Sequence, residues 1–340
     1  MGALLPSPGT LRRLSWLALL LLAPPLAALE VAGGVRLLRA ADEQPADYPT
    51  VQAVQFMGQS LYRQSGGRLA IQVYSASLLG DEAALVPPTQ RGELDLNLNR
   101  VSVQTLEDLC PALRVLSLPF LFRDVEHLDR VLDGPIGAEL LQALDGHGLV
   151  GLAFFETGGR VIGTVGRPVR RLEDLKGLKI RVESSALAAA IVEAWGARPV
   201  RLPFSQTGNA LATRLIDGAE GNLLAYAGAE HHRHAPSLAL TRHSFAPEVL
   251  VISRRSWDRL STAEQGMLRR AAREARPLVR DIWQQREERV EAMLRLAGVN
   301  FVEIPASERA RFEAALQPLH ERLAGGAGQR RLIARIRALR

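Results

Sequence analysis

Ser261-Thr262-Ala263-Glu264 has the form of a capping box, in which a serine hydroxyl caps a helix N-terminus and a glutamate reaches back to the serine N–H. Apolar residues then recur at Leu268, Ala272, Ala275, Leu278, Val279, Ile282, Trp283, Val290, Met293 and Leu294, which is helical spacing, and Gly298 is a stop signal. A single helix here would hold about 35 residues and, at ~1.5 Å per residue, be roughly 50 Å long. That exceeds what one small domain needs to cover its core and suits a helix lying across two lobes. Pro277 lacks the N–H that an interior turn requires. It either kinks one long helix or divides the segment into two helices, and the sequence leaves both open.

Short apolar runs alternate with amphipathic stretches along the rest of the chain. Runs at 35–40, 69–74, 94–98, 149–155, 178–182, 200–202 and 248–252 read as strands. Stretches at 50–64, 124–132, 136–144, 186–195, 207–214 and 307–323 read as helices. Strands separated by helices imply an α/β fold with largely parallel sheets. No repeat, low-complexity block or Pro/Ser-rich linker divides the chain, so two lobes would require it to pass between them more than once. The basic C-terminal stretch, with Arg330, Arg331, Arg335, Arg337 and Arg340, reads as a solvated helix end.

The N-terminus is of a different character. Arg12 and Arg13 precede an apolar run at 14–22, followed by Ala23-Pro24-Pro25-Leu26-Ala27-Ala28, with no acid before Glu30. A basic start, a short apolar run and small residues predict a secretory signal peptide over 1–28 and an exported product. A membrane anchor is the alternative, although the run is short for a bilayer span.

Composition excludes several classes. Of 340 residues, 47% are apolar and 23% charged, which rules out a disordered or fibrous chain. A lone cysteine, Cys110, rules out an internal disulfide framework and cysteine-based zinc sites; beside Pro111 in apolar surroundings it reads as a buried structural residue. The net charge is +6, but arginines and acids are interleaved from Arg160 to Glu308, so no basic stripe for nucleic acid forms. Walker A, GxSxG and HExxH signatures are missing, and nothing points to a cofactor. His231-His232-Arg233-His234 reads as a surface turn, since adjacent imidazoles diverge and no carboxylate is spaced to complete a metal site.

Three arginines differ from the others in context. Arg100 closes an expected strand, Arg160 follows a strand and the turn Thr157-Gly158-Gly159, and Arg181 lies inside the alternating run Leu178-Lys179-Ile180-Arg181-Val182. Strand ends in α/β proteins face the crevice where ligands bind. A guanidinium fork there matches a carboxylate. Three such groups together suggest an anionic small molecule; for any single one, pairing with a structural Asp or Glu, or plain exposure, is the more ordinary reading.

From Arg39 to about Trp283 the chain resembles the extracytoplasmic solute-binding receptors of tripartite ATP-independent periplasmic (TRAP) transporters, the DctP-like family. The resemblance rests on Asp47-Tyr48-Pro49-Thr50, Gly67-Arg68-Leu69 with Leu79-Gly80, Leu118-Pro119-Phe120-Leu121-Phe122-Arg123-Asp124 and Leu172-Glu173-Asp174-Leu175-Lys176-Gly177-Leu178-Lys179-Ile180-Arg181-Val182. Ile216-Asp217-Gly218-Ala219-Glu220 and Pro247-Glu248-Val249-Leu250 follow in the order the family shows. The resemblance implies a two-lobed α/β periplasmic binding protein fold, a ligand cleft between the lobes and a long kinked helix bridging both. The first lobe is expected at 29–157 and 246–283, the second at 158–245 and 284–340. It further implies a periplasmic receptor for an organic acid, such as a sugar acid or dicarboxylate, that delivers its ligand to the small and large membrane permease subunits. Arg181 is implied as the principal partner of the ligand carboxylate, Arg160 as the second arginine and Phe204 as the aromatic wall. Asn222, Gln44 and Arg100 are expected to complete the site.

Four positions depart from the family pattern. Gly221 stands where the first of two asparagines is usual, Gln44 where histidine is common, Gly163 where an aromatic is common, and Arg214 where glycine is usual. Loss of the asparagine and aromatic side chains implies a wider pocket for a bulkier acid. Two alternatives remain: a receptor that feeds a sensor, and an exported lyase or isomerase acting on a sugar acid. The second would need an acid or base, for which Glu156, Glu220 and His243 are the candidates.

Overall fold

The computed structural model describes residues 31–32, 34–93, 96–323 and 326–339. The expected signal peptide at 1–28 lies outside the described residues. The chain first builds β1 (Val31–Ala32), β2 (Val35–Ala41), β3 (Leu69–Tyr74), β4 (Leu96–Ser102) and β5 (Leu149–Phe155). It then leaves for a second sheet with β6 (Arg160–Thr164), β7 (Lys179–Val182), β8 (Arg198–Arg201), β9 (Gly218–Asn222) and β10 (Ser237–Leu240). It returns as β11 (Glu248–Ser253), and the last strand, β12 (Asn300–Glu303), is back in the second sheet. Both sheets have six strands: β1-β2-β4-β11-β5 with β3 also on β2, and β12-β10-β6-β9-β7-β8.

The sheets are mixed, not largely parallel. β11 enters the first sheet from the second, so it runs antiparallel to both its neighbours, β4 and β5. In the second sheet β6 is antiparallel to β9 and to β10, while β7 is parallel to β8 and β9. β6 and β9 carry Gly163, Gly218 and Gly221, which weakened their strand signal.

The two strand connections between the sheets lie side by side. Arg160 N–H donates to Ser244 O at 2.9 Å, and Thr157 Oγ1 donates to Ala246 O at 2.9 Å. Gly158 sits at φ +67°, and a Cβ there would stand 3.0 Å from Trp283 Nε1, so both backbone and space call for glycine.

The third connection is one uninterrupted helix, Thr262–Leu296, capped by Ser261 and Glu264 and containing Pro277. Division at the proline is excluded. Leu268, Ala272, Ala275 and Val279 pack in the first lobe's core with Leu38, Met57 and Phe155. Trp283 joins Tyr48 and Leu224 at the junction, and Leu294 packs with Leu211 and Ile216 in the second lobe. An interior proline costs about 3 kcal/mol. Burial of Val279, Trp283 and Leu294 beyond it contributes about 1.5–3 kcal/mol each, so packing outweighs the break.

The C-terminus departs from expectation. The helix expected at 307–323 is two, Ala306–Ala314 and Gln317–Leu323. The final helix, Ala327–Ala338, is not a solvated end. It buries Leu332 and Ile336, and its Ile336 O lies 2.9 Å from His127 Nε2 of the first lobe. Arg335 pairs with Glu139 at 2.6 Å. Amphipathic spacing of Leu332 and Ile336 outweighed the arginine count.

Candidate ligand-binding cleft

Between the sheets lies a cavity lined from the first lobe by Glu43, Gln44, Glu82, Ser102, Ala246 and Glu248, and from the second mainly by β6, β7, β9 and the helices after β8 and β9. About 680 Å³ of space free of atoms, open solvent at its mouth included, lies among these groups.

Arg181 faces this space from β7, 4% exposed. Its Nε donates to Leu202 O at 3.0 Å, and its guanidinium carbon lies 5.9 Å from the Phe204 ring centroid. No described carboxylate closes an ion pair with it. Phe204 begins the helix Phe204–Ala212 and also meets the His231 ring at 5.6 Å.

Arg160 also lines the cavity, but its Nε and Nη2 are engaged. Nη2 donates to Glu220 Oε1 at 2.7 Å and to Glu183 Oε1 at 3.1 Å. Burial opposes its charge, yet Glu220 and Glu183 raise its pKa, so it stays a cation.

Arg100 is not part of the lining. It is 1% exposed inside β4, forks onto Asp42 and reaches Glu248 Oε1 at 2.8 Å. It holds acids that line the cavity rather than facing it, because its strand position turns it into the first lobe's interior.

Gln44 lines the cavity at 5% exposure, its backbone N–H donating to Asp42 Oδ1 at 2.8 Å. Asn222 lines it too, with its amide committed on two sides. Oδ1 caps the helix Leu223–Gly228 by accepting from Ala225 N at 2.8 Å, and Nδ2 donates to the Tyr48 hydroxyl at 3.0 Å.

Several lining residues carried no recognisable sequence signal. Glu43, Glu82 and Glu183 look like ordinary surface acids in sequence, and Glu248 stands out only as part of the stretch Pro247-Glu248-Val249-Leu250. They lie at a loop, a helix start and two strand ends, and folding gathers them. Burial first, then the Glu43 charge, pushes Glu82 well up; burial pushes Glu43 up, with Arg100 opposing and Glu183 adding to the rise. Burial raises Glu248 to about 7. The expected surface turn at 231–234 is only partly one: His231 is 5% exposed and lines the cavity against Phe204 and Tyr226. Burial, then the Arg181 charge, lowers its pKa to about 4, leaving it neutral.

The three acid–base candidates do not converge. Glu220 is bound to Arg160 in the cavity. His243 is buried elsewhere, 2.8 Å from Thr241 Oγ1 and edge-on to Trp195. Glu156 lines a separate cavity beneath the long helix with Trp283 and Glu287. Among the described residues, no group of three His, Cys, Asp or Glu side chains could hold a metal ion. Gly146-His147-Gly148-Leu149-Val150-Gly151 spells GxGxxG, but it runs into β5 and no helix N-terminus follows to receive a phosphate.

The two glycine departures have opposite outcomes. A Cβ at Gly163 would lie 2.8 Å from Tyr226 Cε2, so the tyrosine ring fills the space an aromatic would take there. A Cβ at Gly221 would meet nothing within 4 Å. Any widening of the pocket is therefore at Gly221 alone.

The sequence model of bacterial extracellular solute-binding proteins, family 7, matches residues 40–325. The chain belongs to this family. It is 30% identical over 278 residues to a solute-binding protein of Chromohalobacter salexigens, covering 82% of this chain and 81% of that one. It is 31% identical over 242 residues to the 2,3-diketo-L-gulonate-binding periplasmic protein of Escherichia coli, covering 71% and 73% of the two chains. Among solved structures, a TRAP periplasmic solute-binding protein of Xanthobacter autotrophicus with bound β-D-galacturonate superposes with a TM-score of 0.86 at 40% identity, over 89% of this chain and 100% of that one. A homologue from a Bradyrhizobium species in complex with D-galacturonate gives 0.86 at 41% identity, over 89% and 99%. These relatives share the two-lobed architecture with the cleft between lobes, and the family consists of solute-binding proteins.

Proposed function

We propose that the protein is the periplasmic receptor of a TRAP transporter and that its ligand is a hexuronate or closely related sugar acid. The observation that carries this reading is Arg181, a buried guanidinium facing the cleft with which no described carboxylate closes an ion pair, although its charge acts on Glu43 and Glu183 nearby. A guanidinium fork takes a carboxylate bidentately. The acids around it suit the hydroxyl donors of a sugar, for which a simple dicarboxylate would offer no counterpart. Relatives 40 and 41% identical that hold galacturonate support the same choice.

In this reading Arg181 binds the ligand carboxylate and Phe204 packs on the sugar ring. Glu43 and Glu183 accept from hydroxyls, and Gln44 and the remaining Asn222 N–H complete the contacts. Arg160 fixes Glu183 and Glu220 in place. The lobes close on the ligand by hinge motion about the paired connections, and the closed form docks on the small and large permease subunits. The signal at 1–28 directs export. The ligand is released unchanged: among the described residues, the acid–base candidates Glu156, Glu220 and His243 do not come together in the cleft. A panel of uronic, aldonic and dicarboxylic acids with their uncharged analogues, read by thermal shift, tests the reading. A rise with D-galacturonate or D-glucuronate, absent with D-galactose, and quantitative recovery of the acid support it. A rise only with dicarboxylates, or a converted product, overturns it.

A further inference from the structure

The cleft that is to take an anion is itself rich in acid. Glu43, Glu82, Glu183, Glu220 and Glu248 line it, against only Arg160 and Arg181. Arg100 behind the wall does not tip the balance, because it is forked onto Asp42 while reaching Glu248. If every group were ionised, the cavity would be strongly negative before any ligand entered. Removal of water on closure sharpens that repulsion.

We infer that the cleft binds its organic anion together with a proton, carried by the carboxylates Glu43, Glu82 and Glu183 at the meeting point of the two lobes. This deepens the sugar-acid reading and rests on it. Glu43 and Glu82 are adjacent: Glu82 N–H lies 3.4 Å from Glu43 Oε2, and Glu82 Oε1 accepts from Thr105 Oγ1 at 2.5 Å. Glu183 approaches from the other lobe, held by Arg160 at 3.1 Å.

The link to ligand runs through Arg181. Burial raises Glu43, and the charges of Arg100 and Arg181 work against that rise. Burial would raise Glu183 too, but Arg160 and then Arg181 hold it low. A ligand carboxylate on Arg181 cancels that support for both acids at once and adds a negative charge beside them. The affinity of the acid group for protons rises, and by linkage ligand binding takes up a proton.

The other charged groups around this set do not reverse the sign. Asp42 and Glu248 add repulsion from just after β2 and from β11, and Arg100 on β4 is shared among Asp42, Glu82 and Glu248. Glu220 on β9 is committed to Arg160. His231, which faces Arg181, is neutral from pH 6 to 8.

The test is calorimetric titration of D-galacturonate into the whole mature protein at pH 6 and pH 8, in phosphate and in Tris. The ligand carboxylate is ionised throughout this range. Proton uptake predicts heats that differ between the buffers, and affinity roughly three- to thirtyfold tighter at pH 6. Glu82→Gln, which mimics the protonated acid while keeping an acceptor for Thr105, should flatten both dependences; should it not fold, Glu43→Gln serves for the same comparison. Tight binding with buffer-independent heats and equal affinity at both pH values, or proton release, overturns this inference alone. Absence of binding by any sugar acid at either pH overturns the sugar-acid reading and this inference with it.

Discussion

Tyr48 and Asn222 join the two lobes across the cleft: Asn222 Nδ2 donates to the Tyr48 hydroxyl at 3.0 Å, and the tyrosine ring stands edge-on to Trp283 at 5.6 Å. The contact connects the start of the first lobe's helix Pro49–Gln64, the cap of a second-lobe helix and the bridging helix. Tyr48→Phe keeps the ring and removes the hydrogen bond. It should weaken ligand binding by about 0.5–1.5 kcal/mol, the usual net worth of one such bond, with little change in Tm. Asn222→Ala should do the same and also lower stability by about 0.5–2 kcal/mol through the lost cap. Titration calorimetry and thermal unfolding separate the two effects.

Arg181→Ala should cost about 2–5 kcal/mol of sugar-acid binding, as expected for one half of a buried charge pair. Arg181→Lys should also bind more weakly than the parent, because an ammonium cannot reproduce the fork. Arg100→Ala should instead lower Tm strongly, since Asp42 and Glu248 would lose their buried counterion. An Arg181→Ala variant with parental affinity would remove that arginine from the site.

The two cleft glycines should respond oppositely to a methyl group. Gly163→Ala places Cβ against the Tyr226 ring, itself anchored by its hydroxyl to Ala235 O. A loss of about 1–3 kcal/mol in denaturant unfolding is expected. Gly221→Ala meets open space and should leave stability unchanged or slightly higher. Equal effects at both positions would contradict this packing.

Glu156 gives the stability a pH signature distinct from the cleft. It lies on a lobe connection, and burial, with Asp129 next, raises its pKa to about 8. An acid whose folded pKa is raised binds more protons when folded than when unfolded. Its contribution is favourable below its unfolded value near 4.5 and is lost as pH rises through 8. Glu156→Gln should therefore flatten the fall in Tm between pH 6 and 9. His243 works on the acid side with the reverse sign: burial lowers it to about 3, so its contribution is present above pH 6.5 and is lost as pH falls toward 3.

The bridging helix and Arg181 were readable because each is a local pattern: a capping box with long apolar periodicity, and an arginine in an alternating strand. Arg100 was not, because its partner Asp42 is 58 positions away and only the β2–β4 pairing brings them together. The acids of the cleft were invisible for the same reason. Glu43, Glu82, Glu183 and Glu248 lie in four separate segments of the chain, and no spacing marks them as neighbours. The filling of the Gly163 gap by Tyr226 is likewise a contact between β6 and a helix some sixty residues on, in which a missing side chain in one place is made good from another.

Calorimetric titration of D-galacturonate and D-galactose into the mature protein at neutral pH tests the central claim most directly. The two sugars differ at the carboxylate that Arg181 is held to bind. Saturable one-site binding of the uronate with no detectable binding of galactose is the predicted result. Comparable binding of both sugars, or of neither, would contradict a cleft built around a free guanidinium.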